Sequence, residues 1–175
     1  MQCKNILILV SITLCFNYTL FGQQNEKPLP ELTQSLKLGN CTGNYMTHLA
    51  ATISYLNENN LSVEDFGKYI GAIYAEDWTP GGKNEIDYFI EGYHWNMHVF
   101  PAYKMEVLNR SESEIEYKLA TNWYQKSYLN PPYQLSEADL QDWLENLWTA
   151  IAGKLGLSYS QSIEEDWIIV KVRKE

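Results

Sequence analysis

The chain has 175 residues, with 22 acidic side chains against 13 basic ones and three histidines, for a formal net charge of −9 at pH 7. That excess of negative charge argues against nucleic acid and anionic lipid as partners, because both repel it. Three cysteines are too few for a disulfide-dense scaffold, so the fold must be held by its core.

At the start of the chain, Lys4 precedes an apolar run over residues 6–21, and Gly22 stands before Gln23-Gln24-Asn25-Glu26-Lys27. This pattern predicts a signal peptide over 1–22, cleaved after Gly22, and therefore an exported protein, periplasmic or secreted. The run is short for a membrane span of about 20 residues and is interrupted by Asn17-Tyr18-Thr19. No membrane span is expected after cleavage. Lipidation on Cys15 is the less favoured route, since Leu14 stands where a lipobox carries Gly, Ala or Ser. Cleavage removes Cys3 and Cys15 and leaves Cys41 without a disulfide partner. Residues 23–30 read as a polar leader. Residues 31–175 read as one domain, because Thr79-Pro80-Gly81-Gly82 and Asn130-Pro131-Pro132 are too short to act as linkers.

Helical periodicity comes first along this domain. A short turn of helix over 31–38 leads through the turn-like Asn40-Cys41-Thr42-Gly43 to a helix between Gly43 and Asn59, with Met46, Leu49, Ile53 and Leu56 on its apolar face. Ser62 and Asp65 form a capping pattern for a second helix, whose expected apolar face is Phe66, Tyr69, Ile70, Ile73 and Tyr74. A third helix runs from about Asn84 to Phe100, striped by Ile86, Phe89, Ile90, Tyr93, Met97 and Phe100 and closed by Pro101. The period then drops to two. Met105 and Val107, then Ile115, Tyr117 and Leu119, alternate with charged residues around a turn at 109–113, which predicts a hairpin. An aromatic loop over 122–133 leads to a fourth helix capped by Ser136 with Asp139, and a second hairpin follows around Glu164-Glu165-Asp166. The unbroken run Trp167-Ile168-Ile169-Val170 predicts a strand covered on both faces. The expected class is α+β: helices first, two hairpins separated by a helix, and an antiparallel sheet with the helices packed on one side.

Two constellations could carry chemistry. Asp87, Glu91, His94 and His98 fall within one wedge roughly 60° wide on the third helix. Two histidines one turn apart with a carboxylate one turn earlier can hold a divalent metal such as zinc, iron or manganese, with Glu91 as ligand or general base. His48 is a third candidate ligand, and Cys41 a further ligand or a thiol nucleophile. The same wedge is also what the solvated side of any partly buried helix looks like. The second constellation is aromatic. Tyr74, Trp78, Trp95, Trp123 and Tyr124 could line a pocket between helices and sheet for a small apolar or saccharide-like ligand, Trp123 serving as a stacking platform. Alternatively the loop over 122–128 folds back and buries Trp123 as core.

The segment Leu61-Ser62-Val63-Glu64-Asp65-Phe66-Gly67-Lys68-Tyr69-Ile70-Gly71, the strand around Met105-Glu106-Val107-Leu108 and the helix running into Leu155-Gly156-Leu157 resemble the arrangement in four-vinyl-reductase-like domains and the related aminothiazoline-carboxylate hydrolases. The resemblance spans residues 61–174 as an order of elements. It implies an α+β small-molecule-binding fold. The cysteines that those families place in their C-terminal half have no counterpart here, so no functional residue carries over. Three functions follow as expectations: an exported small-molecule-binding domain, a metal-dependent hydrolase using His94, His98 and Glu91, and a structural or interaction subunit at the cell surface.

Overall fold

A computed structural model describes residues 31, 33–100, 102–124 and 126–175. The expected signal peptide and polar leader, with Cys3 and Cys15, lie outside these residues, as does Pro101. Gln34–Glu175 forms one compact unit. Its elements are α1 (Gln34–Glu58), α2 (Val63–Ala75), α3 (Glu85–Met97), β1 (Met105–Arg110), β2 (Glu114–Ala120), a 3-10 turn (Lys126–Leu129), α4 (Glu137–Lys154), β3 (Leu157–Glu164) and β4 (Trp167–Lys174). The class is α+β. All pairings in the sheet are antiparallel, in the order β1-β2-β4-β3, so the second hairpin inserts β4 beside β2 and leaves β1 and β3 as edges.

Helix starts follow their capping chemistry. The Ser62 side chain accepts from the Asp65 amide, Asn84 accepts from the amides of Ile86 and Asp87, and Ser136 with Asp139 forms a reciprocal capping box. The expected break in the first helix does not occur. α1 runs unbroken from Gln34 through Gly39 and Gly43, since a helical glycine costs only about 1 kcal/mol relative to alanine. Thr42 Oγ1 in this stretch donates to the Val99 carbonyl at 3.3 Å, tying it to the end of α3.

One face of the sheet is buried. Ile115, Tyr117 and Leu119 of β2 lie there with Ile168, Val170 and Val172 of β4 and Leu157 and Tyr159 of β3. α4 packs on this face next to β3, and α3 reaches it through Phe89, whose ring centroid is 6.2 Å from that of Tyr159, and Tyr93, 5.0 Å from Tyr117. The Tyr93 and Tyr117 hydroxyls lie close together but make no well-aligned hydrogen bond, whereas Tyr159 donates to Gln161 Oε1 at 3.0 Å. Burial pushes all three phenols above their ordinary pKa. The opposite face is solvated. Its cross-strand neighbours pair by charge: Glu116 with Lys171 at 3.1 Å, Glu106 with Lys118 at 2.8 Å, and Glu114 with Arg173. The expectation that Trp167–Val170 is covered on both faces is therefore corrected. Ile168 and Val170 face the core, while Trp167 is half-buried on the outer face beneath the ammonium groups of Lys104 and Lys118, 4.9 and 4.3 Å from its ring centre.

α2 departs most from expectation. Its buried residues are Val63, Gly67, Gly71 and Ala75, one every fourth position, while Tyr69, Ile73 and Tyr74 are exposed and Phe66 and Ile70 half-buried. Backbone proximity is the reason. A Cβ placed on Gly67 would lie 2.8 Å from the Trp143 carbonyl oxygen, and one on Gly71 would lie 2.5 Å from that of Leu147. α2 thus lies directly on the backbone of α4, and its larger apolar residues turn aside. Replacing Gly71 by Ala should lower the unfolding free energy by about 1–3 kcal/mol, because neither backbone can yield cheaply. Gly153→Ala, where an added methyl group meets nothing within 4 Å, should instead raise it by up to about 1 kcal/mol. Urea unfolding of the two variants reads the difference, and equal midpoints would contradict the close helix contact.

Candidate functional site

A cavity of ≈ 420 Å³ opens among the four helices. α1 contributes Tyr45, the end of α2 and the residues after it contribute Tyr74, Asp77 and Trp78, α3 contributes Trp95, Asn96 and Met97, and α4 forms a long wall from Trp143 to Ile151. Seven of its fourteen lining residues are aromatic, and Asp77 is the single charged one.

Trp78 occupies its place because Gly92 does. A Cβ on Gly92 would fall 2.4 Å from the far edge of the Trp78 indole, so the ring edge occupies the place on α3 where a side chain would otherwise stand. From there Trp78 meets Trp148 at 5.7 Å with an interplanar angle of 79°, making a corner of two indoles, and meets Tyr88 edge-on at 5.8 Å. Behind the corner, Trp148 packs on Phe89 at 5.8 Å and on Tyr93 at 4.4 Å, which joins the cavity wall to the core above the sheet. Each such ring pair adds about 0.5–1.5 kcal/mol beyond burial, enough to offset part of the cost of indole N–H groups on Trp143 and Trp148 that are buried without an acceptor. Toward solvent the cavity is bounded by Tyr74 and by Trp95, which is 72% exposed. Tyr45 leaves part of its ring accessible, yet its hydroxyl lies in crowded surroundings near Tyr74, and burial, aided by Tyr74, holds its pKa well above the usual phenol range. The Tyr45 phenol therefore stays neutral at physiological pH.

Of the five aromatic residues expected to share a pocket, Tyr74, Trp78 and Trp95 do so and Trp123 and Tyr124 do not. The pocket also lies among helices, and no residue of the sheet lines it. Trp123 is fully buried, edge-on to Phe100 at 5.1 Å and to Tyr124 at 5.3 Å and tilted against Trp143 at 6.5 Å, so it supports the cavity from behind as core. The loop that carries it folds back on α1, where the Tyr128 hydroxyl donates to the Gly43 carbonyl at 3.2 Å. Tyr124 borders a separate cleft of ≈ 520 Å³ near the β3–β4 turn and the start of α4, with Lys104, Glu137, Gln141 and Trp167. The other lining residues lie outside the expected set, among them Tyr45, Asp77, Phe100, Trp143 and Trp148. Trp143 and Trp148 had a signal: five residues apart on one helix, two indoles cannot both fit a single narrow apolar stripe.

The histidine wedge is engaged in other ways. Glu91 pairs with Lys83 at 2.8 Å and Asp87 with Arg110 at 2.6 Å. The His94 and His98 rings are stacked 6.0 Å apart. His94 Nδ1 shares a hydrogen bond with the Tyr103 hydroxyl at 2.8 Å, and that hydroxyl also lies 3.2 Å from Met105 Sδ. His98 caps α3, its Nδ1 donating to the Trp95 carbonyl at 2.8 Å. Among the described residues, no three or more His, Cys, Asp or Glu side chains converge as a metal would require, so His48, Glu91, His94 and His98 do not form one ligand set. Cys41 is exposed and free. No helix among the described residues is long and apolar enough to cross a membrane. No protein-family model matches the chain, and no curated protein matches it either.

Gly92→Ala should cost about 1–3 kcal/mol of stability and change the intrinsic tryptophan emission, since the methyl group and the Trp78 ring cannot share the same space. Unchanged emission and unchanged stability in that variant would mean that Trp78 is not seated on Gly92.

Proposed function

We propose that this chain is an exported small-molecule-binding module whose ligand occupies the cavity among the four helices. The observation that carries this reading is the cavity wall itself: seven aromatic side chains around ≈ 420 Å³, a size within the range of about 300–1,000 Å³ usual for ligand pockets. Tyr45, Tyr74 and Trp95 keep much of their ring surface open at its rim, while Trp143, Trp148 and Phe100 close on the core behind them, and the open apolar surface is what a ligand can cover at roughly 25 cal/mol per Å². Export rests on the pattern of residues 1–22, and the α+β small-molecule-binding class on the resemblance in element order. The metal-dependent hydrolase reading lacks a comparable support, because Glu91 and Asp87 are held by Lys83 and Arg110.

Trp95 provides the cleanest test, being exposed at the cavity mouth. Trp95→Ala should leave the urea midpoint nearly unchanged, while affinity for small ring-shaped or apolar compounds, followed by quenching of the remaining tryptophans, should fall about tenfold or more. If no such compound alters the emission of the unsubstituted protein, the binding reading fails. Export makes a separate prediction. Protein secreted from its host should begin at Gln23 on N-terminal sequencing, and a product retained in the cytoplasm with residues 1–22 intact would refute it.

A further inference from the structure

We infer that the cavity's ligand carries a positively charged head group, an organic ammonium whose cationic end is held between the aromatic walls and Asp77. This deepens the binding reading and rests on it. Aromatic faces are the negative ends of ring quadrupoles, and a cation within about 6 Å of a ring centre is attracted to them, most strongly by indoles. Trp95, Tyr74 and Tyr45 are exposed around the cavity and come from three helices, and half-buried Trp78 stands with them, braced edge-on by the buried Trp148, so a head group at the mouth is approached by rings from several elements. The single charge on the wall, Asp77, has the complementary sign. No Lys, Arg or His lines the cavity, and Asp77 forms no ion pair among the described residues, although nine ion pairs occur elsewhere, among them Lys154 with its neighbour Glu76 at 3.1 Å.

Other ligand classes fit the same wall less well. An anion would face a carboxylate and aromatic faces with no compensating donor charge, within a chain of net charge −9. A saccharide stacks on aromatic rings but also needs acceptors as well as donors at their edges, and beyond the buried indole N–H groups of Trp143 and Trp148 this wall offers few polar groups. Asn96 is one of them, and its amide already donates to the Gly92 carbonyl at 2.8 Å. A fully apolar ligand would leave Asp77 with nothing to do and would gain from the rings only their area. An alkylammonium uses both.

Choline and its neutral isostere, in which a tert-butyl carbon replaces the quaternary nitrogen, have nearly the same shape and differ in charge. Titrated separately into the purified chain and followed by tryptophan emission and calorimetry, choline should bind at least about tenfold more tightly than the isostere. Asp77→Asn, a change at an exposed loop position, should weaken choline several-fold and leave the isostere unaffected. Equal affinities, or tighter binding of the isostere, would overturn the cationic assignment and leave the pocket standing. So would failure of both while a neutral aromatic compound still binds in a Trp95-dependent way. Failure of all three would overturn the assignment together with the binding reading beneath it. An Asp77→Asn variant with undiminished choline affinity would overturn the part given to that carboxylate.

Discussion

The close approach of α2 to α4 is the contact on which the rest of the structure depends. Two glycines, Gly67 and Gly71, bring the α2 backbone to where any Cβ would strike the Trp143 and Leu147 carbonyls. The arrangement has two consequences. α4 becomes an interior helix, buried on one side by α2 and on the other by the sheet, which is why its buried set includes Leu140, Trp143, Leu144, Leu147, Trp148 and Ile151 and not a single stripe. And α2 is oriented by its smallest residues, so that Tyr69 and Ile73 face outward while Tyr74 reaches the cavity rim. Burial of large side chains ordinarily orients a helix; here the backbone contact overrides it.

A third glycine repeats the principle at the site. Gly92 removes a side chain from α3 and the Trp78 indole takes the space, linking the segment after α2 to α3 and α4 in one aromatic array. That array is continuous from the cavity through Trp148 and Tyr93 to Tyr117 on the sheet. The rings at the cavity mouth, Tyr74 and Trp95, are exposed, whereas Trp148, Tyr93 and Tyr117 are nearly inaccessible. The cavity therefore has a rigid back wall, set by the core, and a mouth formed by side chains whose removal disturbs little else. Charge is kept elsewhere. Most of the ion pairs lie on the outer sheet face or on exposed helix surfaces, where each is worth at most about 1 kcal/mol, and the histidines of α3 serve as a hydrogen-bond partner of Tyr103 and as a helix cap.

Much of the fold was legible along the chain because its causes are local. Ser62, Asn84 and Ser136 start helices through their own side-chain oxygens, and the alternation in 115–119 reflects a strand with one wet and one dry face. Errors arose where the cause lay in another element. The aromatic and aliphatic residues of 66–74 look like a buried face until α4 is present to demand small residues instead. Asn40-Cys41-Thr42-Gly43 looks like a turn until Val99 and Tyr128 provide partners along it. Trp167-Ile168-Ile169-Val170 looks like a doubly covered strand until Lys104 and Lys118 extend their stems over Trp167. For the site, Tyr74, Trp78 and Trp95 were legible as aromatic residues on or beside helices, whereas Trp123 could not be told from them by composition. A buried indole and a cavity-lining indole have the same sequence signature.

The sequence by itself therefore determined the class of fold, the helix starts, the alternating strand β2 and the supply of aromatic side chains, because capping, periodicity and composition act over a few neighbouring residues. Only the tertiary structure decided which of those rings meet. Tyr45, Tyr74, Trp78, Trp95 and Trp148 come from four separate stretches of chain, and the space between them exists because Gly67, Gly71 and Gly92 let backbone and ring approach more closely than any side chain would allow. Close packing of that kind is a property of two elements together, and neither carries it alone.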